Sequence, residues 1–241
     1  MSMKNILEDL HRLQVMDTEI KELREAREAI PGELAGVDQW LTSMEQKLQS
    51  LAEKRQEEEK RRRVLEQQVE DVNLAIKKHQ RQLFEVKTNK EYSALLHEIK
   101  AEKARVSDLE EQILSIMEEI EALIGDEAAA KLELDRARKE AVQRKQEIQQ
   151  RAAAIESRLR ELEAGRQNLA ELLPPEVMAK YQRIAGGRNG LAVVPVKDGT
   201  CGGCFANLPT KTAVEVHAME DIIACEACGR ILIWPSEEGM P

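Results

Sequence analysis

Aromatic side chains are almost missing from this chain of 241 residues: it has two Phe, two Tyr and two Trp, 2% of the total. A compact domain of this size fills part of its interior with rings, each burying a large area, so a single globular α/β core is excluded. Helix breakers are also scarce over most of the length. Residues 1–173 contain one Pro (Pro31) and four Gly, whereas residues 174–241 contain six Pro and eight Gly. A long, charged, breaker-free stretch reads as extended helix or coiled coil, and the remaining 68 residues as a small loop-and-strand domain. Positive charge is in deficit too. The formal net charge is −9, and the last 68 residues carry six Lys and Arg against eight acids. That balance disfavours a general grip on nucleic acid phosphates. Nothing approaches 18 consecutive apolar residues, so no membrane-spanning helix is expected. The charged start, with Lys4, Glu8, Asp9 and Arg12, is not a signal peptide. A cytoplasmic location is expected, where thiols stay reduced and paired cysteines point to metal.

What is present is a seven-residue apolar repeat. From Leu34, one column runs Leu34, Leu41, Leu48, Arg55, Arg62, Val69, Ile76, Leu83; the other runs Val37, Met44, Leu51, Glu58, Leu65, Val72, His79, Val86. Twelve of these sixteen positions are apolar, the seam of a left-handed coiled coil. A second limb carries Tyr92, Ile99, Val106, Ile113 and Ile120 with Leu95, Leu109, Ile116 and Leu123. After a slip at Glu127 its first column resumes at Leu134. The mate positions Arg144, Arg151 and Arg158 are then polar, so the seam is expected to drift toward Ala152 and Leu159. Pro174–Pro175 stops the helix.

Ile6–Val86 and Tyr92–Leu172 hold 81 residues each, about 120 Å of helix at 1.5 Å per residue. Two equal limbs predict an antiparallel hairpin with its tip near residues 87–91 and a kink at Pro31–Gly32. A chain reversal at Pro31 would leave much of the second limb unpaired, and a parallel dimer of rods is the other alternative. The seam charges Arg55, Glu58 and Arg62 read as residues that snorkel and fix register; the sharper reading is a basic patch formed with Lys77, Lys78 and Arg81. His79 reads as a tolerated polar seam residue, and His11 and His97 lie in no ligand spacing.

All four cysteines lie near the other end, as Cys201-Gly-Gly-Cys204 and Cys225-Glu-Ala-Cys228, with twenty residues between the pairs. Two such pairs can surround one Zn²⁺ tetrahedrally, the closed pattern of a structural site; iron–sulfur ligation is the alternative that the ligands alone allow. No βαβ context supports a redox dithiol, and His217 reads as surface. Gly202, Gly203 and Gly229 supply backbone freedom for tight turns. Short strands are expected at Leu191–Val196 (an edge strand, because Pro195 cannot donate), at 205–210, at 221–224 and at 230–234.

These segments resemble a bacterial family of cytoplasmic proteins in which a long coiled-coil hairpin precedes a C4-type zinc ribbon. The resemblance lies in Leu10-His-Arg-Leu-Gln-Val-Met-Asp-Thr-Glu-Ile20, in Val86-Lys-Thr-Asn-Lys-Glu-Tyr-Ser-Ala-Leu95 and in Cys225-Glu-Ala-Cys-Gly-Arg-Ile-Leu232. It implies a kinked hairpin, with Cys201, Cys204, Cys225 and Cys228 as zinc ligands. Members have been linked to flagellar biogenesis, to the nitrogen-type sigma factor and to messenger RNA binding. The expectation is therefore a mainly α protein: a long kinked antiparallel coiled-coil hairpin over 1–173, followed by a small β zinc ribbon over 174–241. Functionally it reads as an adaptor for a protein partner, a monomer or weak dimer without catalytic residues. The alternative is a ribbon that binds RNA or DNA.

Overall fold

A computed structural model describes residues 2–234; the last seven residues of the expected ribbon domain lie outside them. Two helices dominate, α1 (Met3–Gln82) and α2 (Asn89–Leu172), joined by residues 83–88. Pro31 lies inside α1, which continues through it, so the chain does not reverse there. The chain divides into two compact units, Met1–Leu34 with Gln146–Pro241, and Ala35–Lys145.

In the second unit the helices pair antiparallel. Lys47 meets Glu133 at 3.1 Å and Arg55 meets Glu127 at 2.8 Å, while Arg138 reaches back to Glu45 and Lys145 to Asp38. As the number rises on α1 it falls on α2. Leu65, Val72 and Ile76 interleave with Ile99, Leu109, Ile116 and Ile120 as the buried seam. Past the slip at Glu127 the α2 seam is built from small residues, Ala130, Ala137 and Ala141 around Leu134, which lets the helices stay close. The charged seam positions find ionic partners: Arg55 pairs with Glu127 and Glu59, and Arg62 lies 3.2 Å from Glu66. Arg144 leaves the seam and lies over the Trp40 ring at 5.1 Å.

The first unit contains the base of both helices and a small mixed domain. Ile20 and Ile30 of α1 pack on Ile155, Leu159 and Leu162 of α2, with Ala152 against them, the drift the repeat predicts. Arg151 and Arg158 turn outward to Glu33 and Glu19. Beyond the Pro174 stop the chain re-enters helix at once as α3 (Pro175–Gly187), because a proline at the first helical position costs no hydrogen bond. Then come β1 (Val193–Lys197), β2 (Thr200–Cys201), α4 (Thr210–Ala218) and β3 (Ile231–Ile233). The loop-and-strand expectation missed α3 and α4, and the stretches 205–210 and 221–224 form isolated bridges rather than strands.

The sheet order is β2-β1-β3, with β1 antiparallel to β2 and parallel to β3. β1 is therefore central, not an edge. Pro195 is tolerated because the β2 ladder ends at Cys201, and the Pro195 carbonyl still accepts a bond from Gly202 N at 2.9 Å. One face of the sheet, with Val193, Ile231 and Ile233, packs on Ile6, Leu7, Leu10 and Leu13 of α1 and on Met178 and Tyr181 of α3. The other, with Val194, Val196 and Leu232, packs on Cys201, Cys225 and Cys228. A single buried polar side chain, Gln14, fastens the start of β1 to α1. Its Oε1 accepts from Ala192 N and Val193 N at 2.6 and 3.0 Å, and its Nε2 donates to Gly190 O at 2.9 Å.

Candidate metal centre

The four cysteines lie on two turns of the same construction. In the first, Cys201 N donates to Ala206 O and Phe205 N donates back to Cys201 O; in the second, Cys225 N donates to Arg230 O and Gly229 N donates back to Cys225 O. The residue just after each pair sits in the left-handed region, at φ +61° for Phe205 and +74° for Gly229. The second turn has the glycine that such a φ favours. The first has a phenylalanine, a strained choice, and its ring is 78% exposed. Gly202 and Gly203 serve space rather than φ. A Cβ at Gly202 would lie 2.6 Å from Pro195 O, and one at Gly203 would lie 2.7 Å from Arg230 Cδ.

The sulfurs converge. Sγ of Cys201 is 3.8 Å from that of Cys228, and Sγ of Cys204 is 3.8 Å from that of Cys225, with all four within 4.8 Å of one another. A tetrahedron of sulfurs about 2.3 Å from a zinc has edges of about 3.8 Å, so this donor set fits zinc in both chemistry and size. Cys201, Cys225 and Cys228 are buried and Cys204 is half-buried. Burial pushes the Cys201 thiol up to about 12 against the N–H groups of Gly203 and Cys204. At Cys228 burial acts in the same direction and is the largest single influence, but hydrogen bonds from the Arg230 N–H, Cys204, the Arg230 guanidinium and Cys225 together outweigh it and bring the thiol down to about 7. Two arginines brace the turns: Arg188 donates to Cys228 O at 2.8 Å, and Arg230 donates to Leu191 O and Gly203 O. Neither brace is legible in the spacing of the cysteines. His217 stands apart from the sulfurs, its ring edge-on to Trp234 at 4.8 Å between centroids.

Residues 200–232 match the C4-type zinc ribbon domain, and zinc is the cofactor that this domain and its clustered cysteines take. No helix among the described residues is long and apolar enough to cross a membrane. The chain is similar to three solved structures over nearly its full length. CT398 of Chlamydia trachomatis has 23% identity and a TM-score of 0.78, covering 97% of this chain and 99% of that one. HP0958 of Helicobacter pylori has 24% identity and a TM-score of 0.62, with 100% of both chains covered. A Mycobacterium smegmatis protein has 18% identity and a TM-score of 0.70, covering 95% and 98%. These likenesses show a common fold. No curated protein matches the chain. Residues 13–189, most of the length, match the CT398-like coiled coil hairpin domain, and the chain belongs to that family.

Proposed function

We propose that this protein is a non-enzymatic adaptor or scaffold, working in the cytoplasm as a monomer or weak dimer. In this reading a hairpin domain (1–173) and a zinc-ribbon domain (174–241) each offer a surface to protein partners. Cys201, Cys204, Cys225 and Cys228 are the four ligands of one zinc. Four thiolates close the coordination sphere, so the metal orders the ribbon and has no open position at which to activate water. The observation that carries the reading is this saturated sulfur set, mounted on a domain whose other part is helical pairing. A role in transcription or in flagellar regulation is the setting that the family resemblance favours.

The test is co-purification of the zinc-loaded protein from its native cell, with and without nuclease, at low and at high salt. A protein complex that survives both nuclease and salt supports the adaptor. Binding that disappears with nuclease, or falls steeply as salt rises, identifies instead a ribbon that holds RNA or DNA through phosphates.

A further inference from the structure

Both phenylalanines of this aromatic-poor chain are on the outside. Phe84 is 91% exposed and Phe205 78%, the two highest values for a large apolar residue among those described. Cores here are built from Leu, Ile, Val and Ala instead. Phe84 lies in the turn that joins α1 to α2, and that turn is pinned at both ends. Phe84 N donates to Arg81 O, and Glu85 N and Val86 N to Gln82 O. On the far side Thr88 caps the start of α2, with Glu91 N donating to Thr88 Oγ1 and the hydroxyl donating to Glu91 Oε2. The ring is thus held out on a fixed support, with Tyr92 47% and Leu96 45% exposed in the next turns. Beside it lies a groove of about 660 Å³ floored by Val86, Ala94 and Leu95.

The charge around this knob is inverted relative to the rest of the chain. Residues 72–107 carry eight Lys and Arg against four Glu, a net +4, which leaves −13 for all the others. Cations of the shaft, such as Arg24, Lys47, Arg55 and Arg158, reach carboxylates on the opposite helix. None of the eight in 72–107 has a carboxylate within 4.0 Å among the described residues; the Glu98 and Glu102 carboxylates approach His79 instead. Unspent positive charge around an exposed ring matches an apolar socket with an acidic rim. A nucleic acid strand matches less well, because Glu85, Glu91 and Glu98 line the groove and interrupt the continuous basic track that a phosphate backbone follows.

Resting on the adaptor reading, we propose that the hairpin tip is a protein-docking knob. Phe84 enters an apolar socket on the partner, and Lys87 and Lys90 meet acidic side chains at its rim. A photoreactive phenylalanine analogue in place of Phe84 tests this in the native cell, with the same analogue at Leu132 as a shaft control and at Phe205 as a ribbon arm. The expected result is one dominant protein adduct at position 84, absent from position 132, on a partner segment that combines apolar and acidic residues. With that partner purified, Phe84→Ala and the double variant Lys87→Glu/Lys90→Glu should each weaken binding tenfold or more, while melting temperature and zinc content stay unchanged. Adducts at 84 no richer than at 132, adducts to nucleic acid or to a second copy of this chain, or undiminished binding by Phe84→Ala would each overturn the proposal. A protein adduct at 205 without one at 84 would defeat the knob and leave the adaptor standing; adducts at neither would defeat both.

Discussion

Gln14 is the place where one side chain governs how the base of α1 meets the sheet, and replacing it with leucine isolates that role. Leucine is of similar bulk, so the change removes hydrogen bonds without opening a large cavity. Two backbone donors lose their partner, Ala192 N and Val193 N, in residues 0% and 2% exposed, where water does not readily replace it. Gly190 O also loses its bond from Nε2. A buried group left unpaired costs about 1–3 kcal/mol. Two donors, with partial relaxation around them, give an expected loss of about 2–4 kcal/mol. Native-state hydrogen exchange reads this locally, which matters in a chain of two compact units where a single unfolding midpoint blends contributions. Amides of residues 192–196 and of the facing residues 6–13 should exchange roughly 25-fold faster or more, at about 1.4 kcal/mol per factor of ten. Thr18→Ala removes the bond that Gln14 Nε2 donates to the Thr18 hydroxyl and the one that this hydroxyl donates to Gln14 O, both at an exposed residue, and should cost under about 0.5 kcal/mol. A Gln14→Leu variant no more labile than Thr18→Ala would refute the reasoning and make the docking purely apolar.

Three further outcomes follow from the geometry. Phe205→Gly should stabilise the ribbon by about 1 kcal/mol in chemical denaturation, because it relieves left-handed strain at a residue whose exposed ring packs little; destabilisation would show that the ring packs after all. Cys225→Ser should lose the metal while far-ultraviolet dichroism stays close to wild type, because the paired seams of α1 and α2 do not involve the ribbon. Its exchange protection should fall only in the sheet and in residues 6–13, which pack on Ile231 and Ile233; general loss of helix would contradict it. Burial holds the His11 imidazole below its ordinary pKa of 6.5. The unfolded chain therefore binds more protons there, and stability contributed by neutral His11 is present above pH 6.5 and declines as pH falls below it. Thermal melts should accordingly lose less on going from pH 7.5 to 5.5 in His11→Gln than in wild type.

The hairpin was legible because a seam is a one-dimensional pattern. Leu65, Val72, Ile76, Ile99 and Ile116 fall on the predicted columns, and each is buried. The cysteine spacing was legible for the same reason, since four identical ligands at fixed intervals leave few alternatives. What could not be read were features that depend on distant neighbours. Leu7 and Leu10 precede the apolar repeat that starts at Leu34 and are buried because the sheet covers them. Gln14 carried no signal, because a buried glutamine is recognisable only once the backbone groups it meets are known. Pro195 misled, since the edge-strand rule assumes that the neighbouring ladder continues past the proline, and β2 stops short of it. The helices α3 and α4 were hidden because Pro174 and Pro175 read as a stop and Pro209 lies in a stretch that reads as strand, whereas here Pro174 and Pro209 stand at helix N-caps and Pro175 opens α3.

The most direct test of the metal centre is zinc K-edge absorption spectroscopy on the purified protein, with total metal measured on the same sample. One zinc per chain, surrounded by four sulfurs at about 2.3 Å, is the predicted result, and it should hold with His217 replaced by Ala. Less than half an equivalent of zinc, a nitrogen or oxygen ligand in the first shell, or iron in place of zinc would contradict the assignment of Cys201, Cys204, Cys225 and Cys228 as the complete ligand set.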